Sequence, residues 1–104
     1  MDRNAFTMKL KPGTVEEYKR RHSEIWPELK QLLSDHGISD YTIYIDPTTH
    51  TLFAVQKRSG DFDPKSIPKH PIVKKWWAYM ADIMETNPDH SPLESPLIEM
   101  FHMD

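Results

Sequence analysis

One histidine occupies a place where an apolar side chain is expected. Val15, Tyr18, His22, Ile25, Trp26 and Leu29 recur at the three- and four-residue spacings of a single helical face. That face should pack on the rest of the chain, which turns the His22 imidazole inward, with Tyr18 one turn before it and Trp26 one turn after. A histidine so placed is either a hydrogen-bonded core residue or part of a pocket wall. Further along, Trp76 and Trp77 are neighbours on a helical stretch and point about 100° apart. One can be core while the other edges into a pocket. Tyr41 begins a strand, where side chains emerge near the end of a sheet. Tryptophan faces beside tyrosine hydroxyls and a histidine can hold a sugar, the apolar C–H face of the ring on the indole and the hydroxyls on polar groups. An imidazole with an ordinary pKa near ~6.5 gives or takes a proton at neutral pH. Without a cofactor, such a set supports proton-transfer chemistry. Opening and closing of a cyclic hemiacetal fits: the anomeric hydroxyl loses a proton, the ring oxygen gains one, and re-closure after rotation inverts the anomeric centre.

Other chemistries find little footing. The six histidines, His22, His36, His50, His70, His90 and His102, form no His-x-x-x-His pair and no spacing typical of a metal site, so no metal is expected. The chain has no cysteine, hence no thiolate nucleophile and no disulfide framework. With three glycines there is no phosphate-cradling loop, and no serine sits in a nucleophile elbow. Glu16 and Glu17 are adjacent on a helix, so they face apart, and their place favours the helix N-terminus. No cofactor signature is present, and none is expected.

Six elements must position these residues. Ala5 to Leu10 reads as a strand with Phe6, Met8 and Leu10 on one face. Thr14 with Glu17 forms a capping-box signature, which starts a helix running to about Asp35, closed by His36 and Gly37 and kinked by Pro27 near Ser23 to Trp26. Asp40 to Ile45 and Thr51 to Lys57 read as a hairpin around the turn from Asp46 to His50. Arg58 to Pro71 is largely loop. Ile72 to Glu85 reads as a second helix, with Val73, Trp76, Trp77, Met80, Ile83 and Met84 on its apolar side. A turn-rich connection leads to a fourth strand over Leu97 to Met103. The order β-α-β-β-α-β is the ferredoxin-like α+β unit, one antiparallel sheet with both helices on one face.

The chain of 104 residues predicts a single domain over 1–104. Its 13 basic and 16 acidic residues are scattered, so neither nucleic acid nor an anionic membrane is an expected partner. No apolar run approaches the ~18 residues a membrane helix needs, and the start does not resemble a signal peptide, which together predict a soluble cytoplasmic protein. Several strands are apolar on both faces: Ala5 beside Phe6 and Met8, Phe53 and Val55 beside Leu52 and Ala54, Leu97 and Phe101 beside Ile98 and Met100. Two helices cover only one face of the sheet, and the other is larger than a soluble monomer usually exposes. A homodimer packed sheet to sheet, in a barrel-like arrangement, is therefore expected.

The sequence also resembles a known family, the L-rhamnose mutarotases. The resemblance runs over most of the chain. It is carried by Ala5-Phe6 with Met8, Glu17-Tyr18 with Arg20-Arg21-His22, Ile25-Trp26-Pro27-Glu28-Leu29 and His36-Gly37. It continues through Tyr41, Ile43-Tyr44, Asp46, Leu52-Phe53-Ala54, Trp76-Trp77 with Tyr79-Met80, Asp82, Asn87-Pro88-Asp89 and Ser91-Pro92. It implies a dimeric α/β barrel that interconverts the α and β anomers of L-rhamnose without a cofactor. It further implies that His22 is the proton donor and that Tyr18, Tyr41, Trp76 and Trp77 bind the sugar. Trp26, outside those positions, reads as packing at the Pro27 kink. Family members tend to be more helical between about Arg58 and Val73, where this chain has Pro64, Pro68 and Pro71. That segment, at the pocket mouth, leaves the preference among L-rhamnose and related 6-deoxy sugars open. Two alternatives share the fold: a non-catalytic barrel that binds a sugar or other small ligand, and a monooxygenase-type barrel, which bound pigment or haem would reveal.

Overall fold

Alternating apolar residues build the sheet. In the computed structural model, which describes residues 2–104, β1 (Asp2–Lys9) is followed by α1 (Val15–Ser23), α2 (Pro27–Asp35), β2 (Ile38–Asp46), β3 (Thr51–Arg58), α3 (Pro71–Met80) and β4 (Ser95–Pro96). The strands lie in the order β2-β3-β1-β4, and every pairing is antiparallel. This is the expected ferredoxin-like order. Phe6 and Met8 stand opposite Ala54 and Leu52, which in turn face Ile43 and Ile45, so one row of apolar side chains crosses three strands. The helices cover this face with Tyr18, Leu29, Val73, Trp76 and Met80, all buried.

Four local expectations are corrected. The single kinked helix over Thr14 to Asp35 is two helices: Trp26 has extended backbone (φ −61°, ψ 126°), and Pro27 opens α2 at its first position. Proline there disfavours the helical conformation in the residue before it and has no N–H for the preceding turn. The capping box does not form. Thr14 occupies the N-cap position, but its hydroxyl donates to the Lys11 carbonyl at 2.6 Å, and Glu17 turns to Arg20 and Arg21 instead. The helix expected over Ile72 to Glu85 runs only from Pro71 to Met80; the buried Ile83 follows in a turn, and the buried Met84 forms an isolated antiparallel bridge with Leu10. Finally, the strand expected over Leu97 to Met103 is absent. β4 pairs with β1 only at Ser95 and Pro96, and residues 97–104 have no regular structure. Past that point the tail finds no continuing ladder, and Ile98, Met100 and Phe101 are largely exposed.

The second sheet face is apolar, as its alternation predicts. Tyr44 faces Phe53, which faces Thr7, and Val55 lies between Thr42 and Ala5. Tyr44 is 64% exposed, and Phe53 and Val55 are each 37% exposed. Two details position the site. Gly37 holds φ +91°, and a Cβ there would come within 1.9 Å of the Ser59 hydroxyl, so only glycine turns α2 into β2 here. In β2, Asp40 and Tyr41 together stand opposite the single residue Gln56, between the Ser39–Lys57 and Thr42–Val55 pairs. This is a β-bulge, with Asp40 in the left-handed region at φ 48°. The segment between β3 and α3 is mostly loop, with one 3-10 turn over Ile67–Lys69.

Candidate active site

His22 lies in the last turn of α1, half-buried. Its Nδ1 is 3.1 Å from the carbonyl oxygen of Tyr18. A carbonyl can only accept, so Nδ1 carries the proton and donates it, and Nε2 of the neutral ring keeps its lone pair. Burial pushes the imidazole below the ordinary histidine range, with the backbone hydrogen bond opposing part of that shift. At neutral pH, then, Nε2 is a base with a fixed tautomer.

Aromatic rings frame the imidazole. The Tyr18 ring stacks on the imidazole at 4.2 Å between centroids, because four residues separate them on one helix face. Trp76 meets the imidazole edge-on at 5.4 Å. Trp26 packs edge-on against the far part of the same cluster, 5.0 Å from Trp76, and stacks on Tyr79. Trp26 is thus a packing residue, as its place beside Pro27 indicates. Trp76 is 9% exposed and belongs to the core as well as to the site, whereas Trp77 is half-buried.

Tyr18, His22, Tyr41, Trp76 and Trp77 all line one trough between the helices and the sheet, floored by Phe6, Met8 and Leu52, with a volume of about 1830 Å³. The structure brings all five expected site residues to that trough. Burial pushes the Tyr18 hydroxyl well above the ordinary phenol range, and Tyr41 adds to the shift. Tyr41 keeps 39% of its surface exposed. Protein still surrounds it closely enough for desolvation to be the largest influence raising its hydroxyl; Glu94 raises it further and Arg58 opposes. Both tyrosines are therefore neutral and able to donate and accept hydrogen bonds. Among the described residues, no group of three or more histidine, cysteine, aspartate or glutamate side chains could hold a metal ion.

Arg21, next to His22, ties the two halves of the site together. It donates to Glu17 at 2.7 Å, to the Tyr79 carbonyl at 2.7 Å and to both Asp82 oxygens at 2.8 and 3.1 Å, and its guanidinium lies 4.5 Å from the Tyr79 ring centre. Hydrogen bonds from Arg20 and Arg21 hold the Glu17 carboxyl down to about 2, so it is a committed ion-pair partner rather than an acid. Arg21 thereby fixes α1, which carries His22, against the end of α3, which carries both tryptophans. Arg21→Met should destabilise the chain by about 2 kcal/mol, the scale of losing buried hydrogen bonds to a charged group. Chemical denaturation would show this as a lower midpoint, and an unchanged midpoint would refute the clamp.

Two further residues on the trough were not anticipated from the sequence, Arg58 and Glu94. Arg58 closes β3, and Glu94 directly precedes β4.

Comparisons with known proteins point to one family. A family model described as L-rhamnose mutarotase matches residues 3–103. The L-rhamnose mutarotase of Rhizobium johnstonii is 57% identical over 103 residues, covering 99% of this chain and 97% of that protein. That of Phocaeicola vulgatus is 58% identical over 104 residues, covering all of both. Among solved structures, the crystal structure of the L-rhamnose mutarotase from Formosa agariphila superposes with a TM-score of 0.94 at 54% identity, covering all of both chains.

Proposed function

The chain belongs to the L-rhamnose mutarotase family, and from that premise we propose that it catalyses the interconversion of the α and β anomers of L-rhamnose, an L-rhamnose 1-epimerase activity, with His22 as the acid–base group. The observation that carries the residue assignment is the free Nε2 lone pair of His22, set by the Tyr18 carbonyl, in a residue that lines one trough with Tyr18, Tyr41, Trp76 and Trp77. Neutral Nε2 takes the proton of the anomeric hydroxyl. The C1–O5 bond breaks as the C1 carbonyl forms, and the ring oxygen takes up a proton. Both oxygens are bonded to C1, so one imidazole nitrogen is within reach of both and can return to O5 the proton it took from O1. After rotation about C1–C2 the same steps run backwards, and His22 ends neutral. The donor role that the family resemblance implies for His22 is the second half of this cycle. Saturation-transfer NMR on L-rhamnose tests the reading: it expects exchange between the anomer signals in the presence of the protein. Binding without exchange would favour the non-catalytic alternative.

The working unit in this proposal is a homodimer. The row of Tyr44, Phe53 and Val55 is an exposed apolar face, and the tail from Leu97 to Met103 is mostly apolar and, beyond the Leu97 N–H to Ala5 carbonyl bond, joins no ladder among the described residues. The trough, at about 1830 Å³, exceeds the roughly 300–1,000 Å³ of a small-molecule pocket. A second copy of the chain would cover the face and pair the tail. Sedimentation should give a dimer at micromolar concentration. A stable monomer would sink this part of the proposal.

A further inference from the structure

A second chemistry lies on the same trough, away from the histidine. Asn4, Gln56 and Arg58 share the cavity face where β1 begins and β3 ends, next to the bulge that presents Tyr41. Arg58 is held on three sides. Its Nε donates to the Gln56 side chain at 2.6 Å, and its guanidinium lies 4.5 Å from the Phe62 ring centre. The Asn4 amide oxygen, in the orientation that satisfies both ends of that side chain, accepts from the two terminal nitrogens at 2.9 and 3.2 Å. Gln56 is 2% exposed, so this support is rigid. The guanidinium carries more donors than these acceptors use, and the residue lines the trough.

Glu94 lines the same trough from the opposite strand edge, ahead of β4. Its carboxylate makes no hydrogen bond or ion pair among the described residues, yet it and Arg58 lie within each other's electrostatic field. Although the residue as a whole is exposed at the rim, desolvation raises its carboxyl above the ordinary range, with Arg58 opposing. Two opposite charges thus line one cavity, one of them locked in place, and neither closes on the other. Tyr41, on the same trough, lies within the electrostatic reach of Glu94, Arg58 and Tyr18, and Tyr18 stacks on His22.

We propose that Arg58 and Glu94 are substrate-binding residues of this trough, Arg58 donating to and Glu94 accepting from hydroxyls of the bound pyranose, and that they select sugars by hydroxyl pattern. This rests on the anomer-exchange reading above. A carboxylate takes two vicinal hydroxyls as donors, and a guanidinium serves hydroxyl oxygens as acceptors. A site built to hydrogen-bond a hydroxyl rejects an analogue that lacks it far more strongly than an apolar wall can.

The test is the concentration dependence of anomer exchange by NMR, for L-rhamnose and its 2-, 3- and 4-deoxy analogues. Glu94→Gln and Glu94→Ala should raise KM for L-rhamnose by about tenfold, the scale of one hydrogen bond to a charged group, with kcat within about twofold. Both variants should also lose most of the wild-type discrimination against the analogue whose missing hydroxyl Glu94 would bind. Arg58→Lys keeps the charge but not the fork, and should raise KM as well. Wild-type exchange with unmoved KM and discrimination in the Glu94 variants would overturn the assignment and leave the activity standing. Absence of exchange in the wild type would remove the functional reading and this assignment with it.

Discussion

Replacing His22 with alanine is expected to lower the kcat of anomer exchange by about 10²–10⁴-fold, the usual contribution of a positioned acid–base group, while the chain still folds. The side chain is half-buried and makes one hydrogen bond, to the Tyr18 carbonyl of its own helix. Removing it leaves that carbonyl its place in the helix, and Tyr18 and Trp76 lose one ring neighbour rather than their whole packing. The pH profile should carry the same signature. Burial holds the His22 imidazole below 6.5, so the neutral base persists through neutral pH, and kcat should fall only as pH drops through that depressed value. Stability should fall over the same acid range. Between the folded value and the ordinary value near ~6.5, the unfolded chain binds more protons, so the stability that neutral His22 contributes is present above that range and is lost as pH falls through it. His22→Ala should lack both the acid limb of the rate and this part of the stability loss.

Trp76→Ala is expected to have the largest effect on stability, about 3–5 kcal/mol. The indole is 9% exposed and sits among the rings of His22, Trp26 and Tyr79. Against a total of about 5–15 kcal/mol for a domain, that loss is a large share. The protein should melt well below the wild type and lose exchange activity along with its packing. Trp77→Ala should separate the two roles. Trp77 is half-buried and lines the trough, so its loss should chiefly raise KM for the sugar, with a smaller change in melting temperature. Thermal melts and exchange kinetics on both variants decide the matter. Equal destabilisation by the two would mean that Trp77 is as much a core residue as Trp76.

The elements that set these positions were legible in the sequence to different depths, for physical reasons. The helical spacing of Tyr18 and His22 places them on one face whatever the rest of the fold does, and the alternation of Phe6, Met8, Leu52 and Ala54 determines which sheet face is covered. These are local periodicities. Pro27 was visible too, but whether it bends a helix or divides it depends on the conformation of Trp26, which tertiary packing against Trp76 and Tyr79 helps to hold. Thr14 and Glu17 have the spacing of a capping box; two arginines compete for the carboxylate, and charge-assisted pairs prevail over a bond to one backbone N–H.

What stayed hidden is long-range. Arg21 reads as an ordinary helical arginine, since its partner Asp82 lies 61 residues away. Arg58 and Glu94 line one trough only because β3 and β4 flank β1 in the sheet. The bulge at Asp40 and Tyr41 has no glycine to announce it; Asp40 itself adopts the left-handed conformation. The tail after Pro96 is apolar on both faces, as a buried strand would be, but a strand exists only with a ladder to join.

The proposed function stands or falls with exchange of the L-rhamnose anomers through His22. Saturation-transfer NMR at equilibrium tests it most directly: one anomeric signal is saturated and the other watched, with wild type and His22→Ala at equal concentration. Rapid transfer is expected with the wild type and a return to the buffer rate with the variant. Transfer as fast with His22→Ala as with the wild type would contradict it.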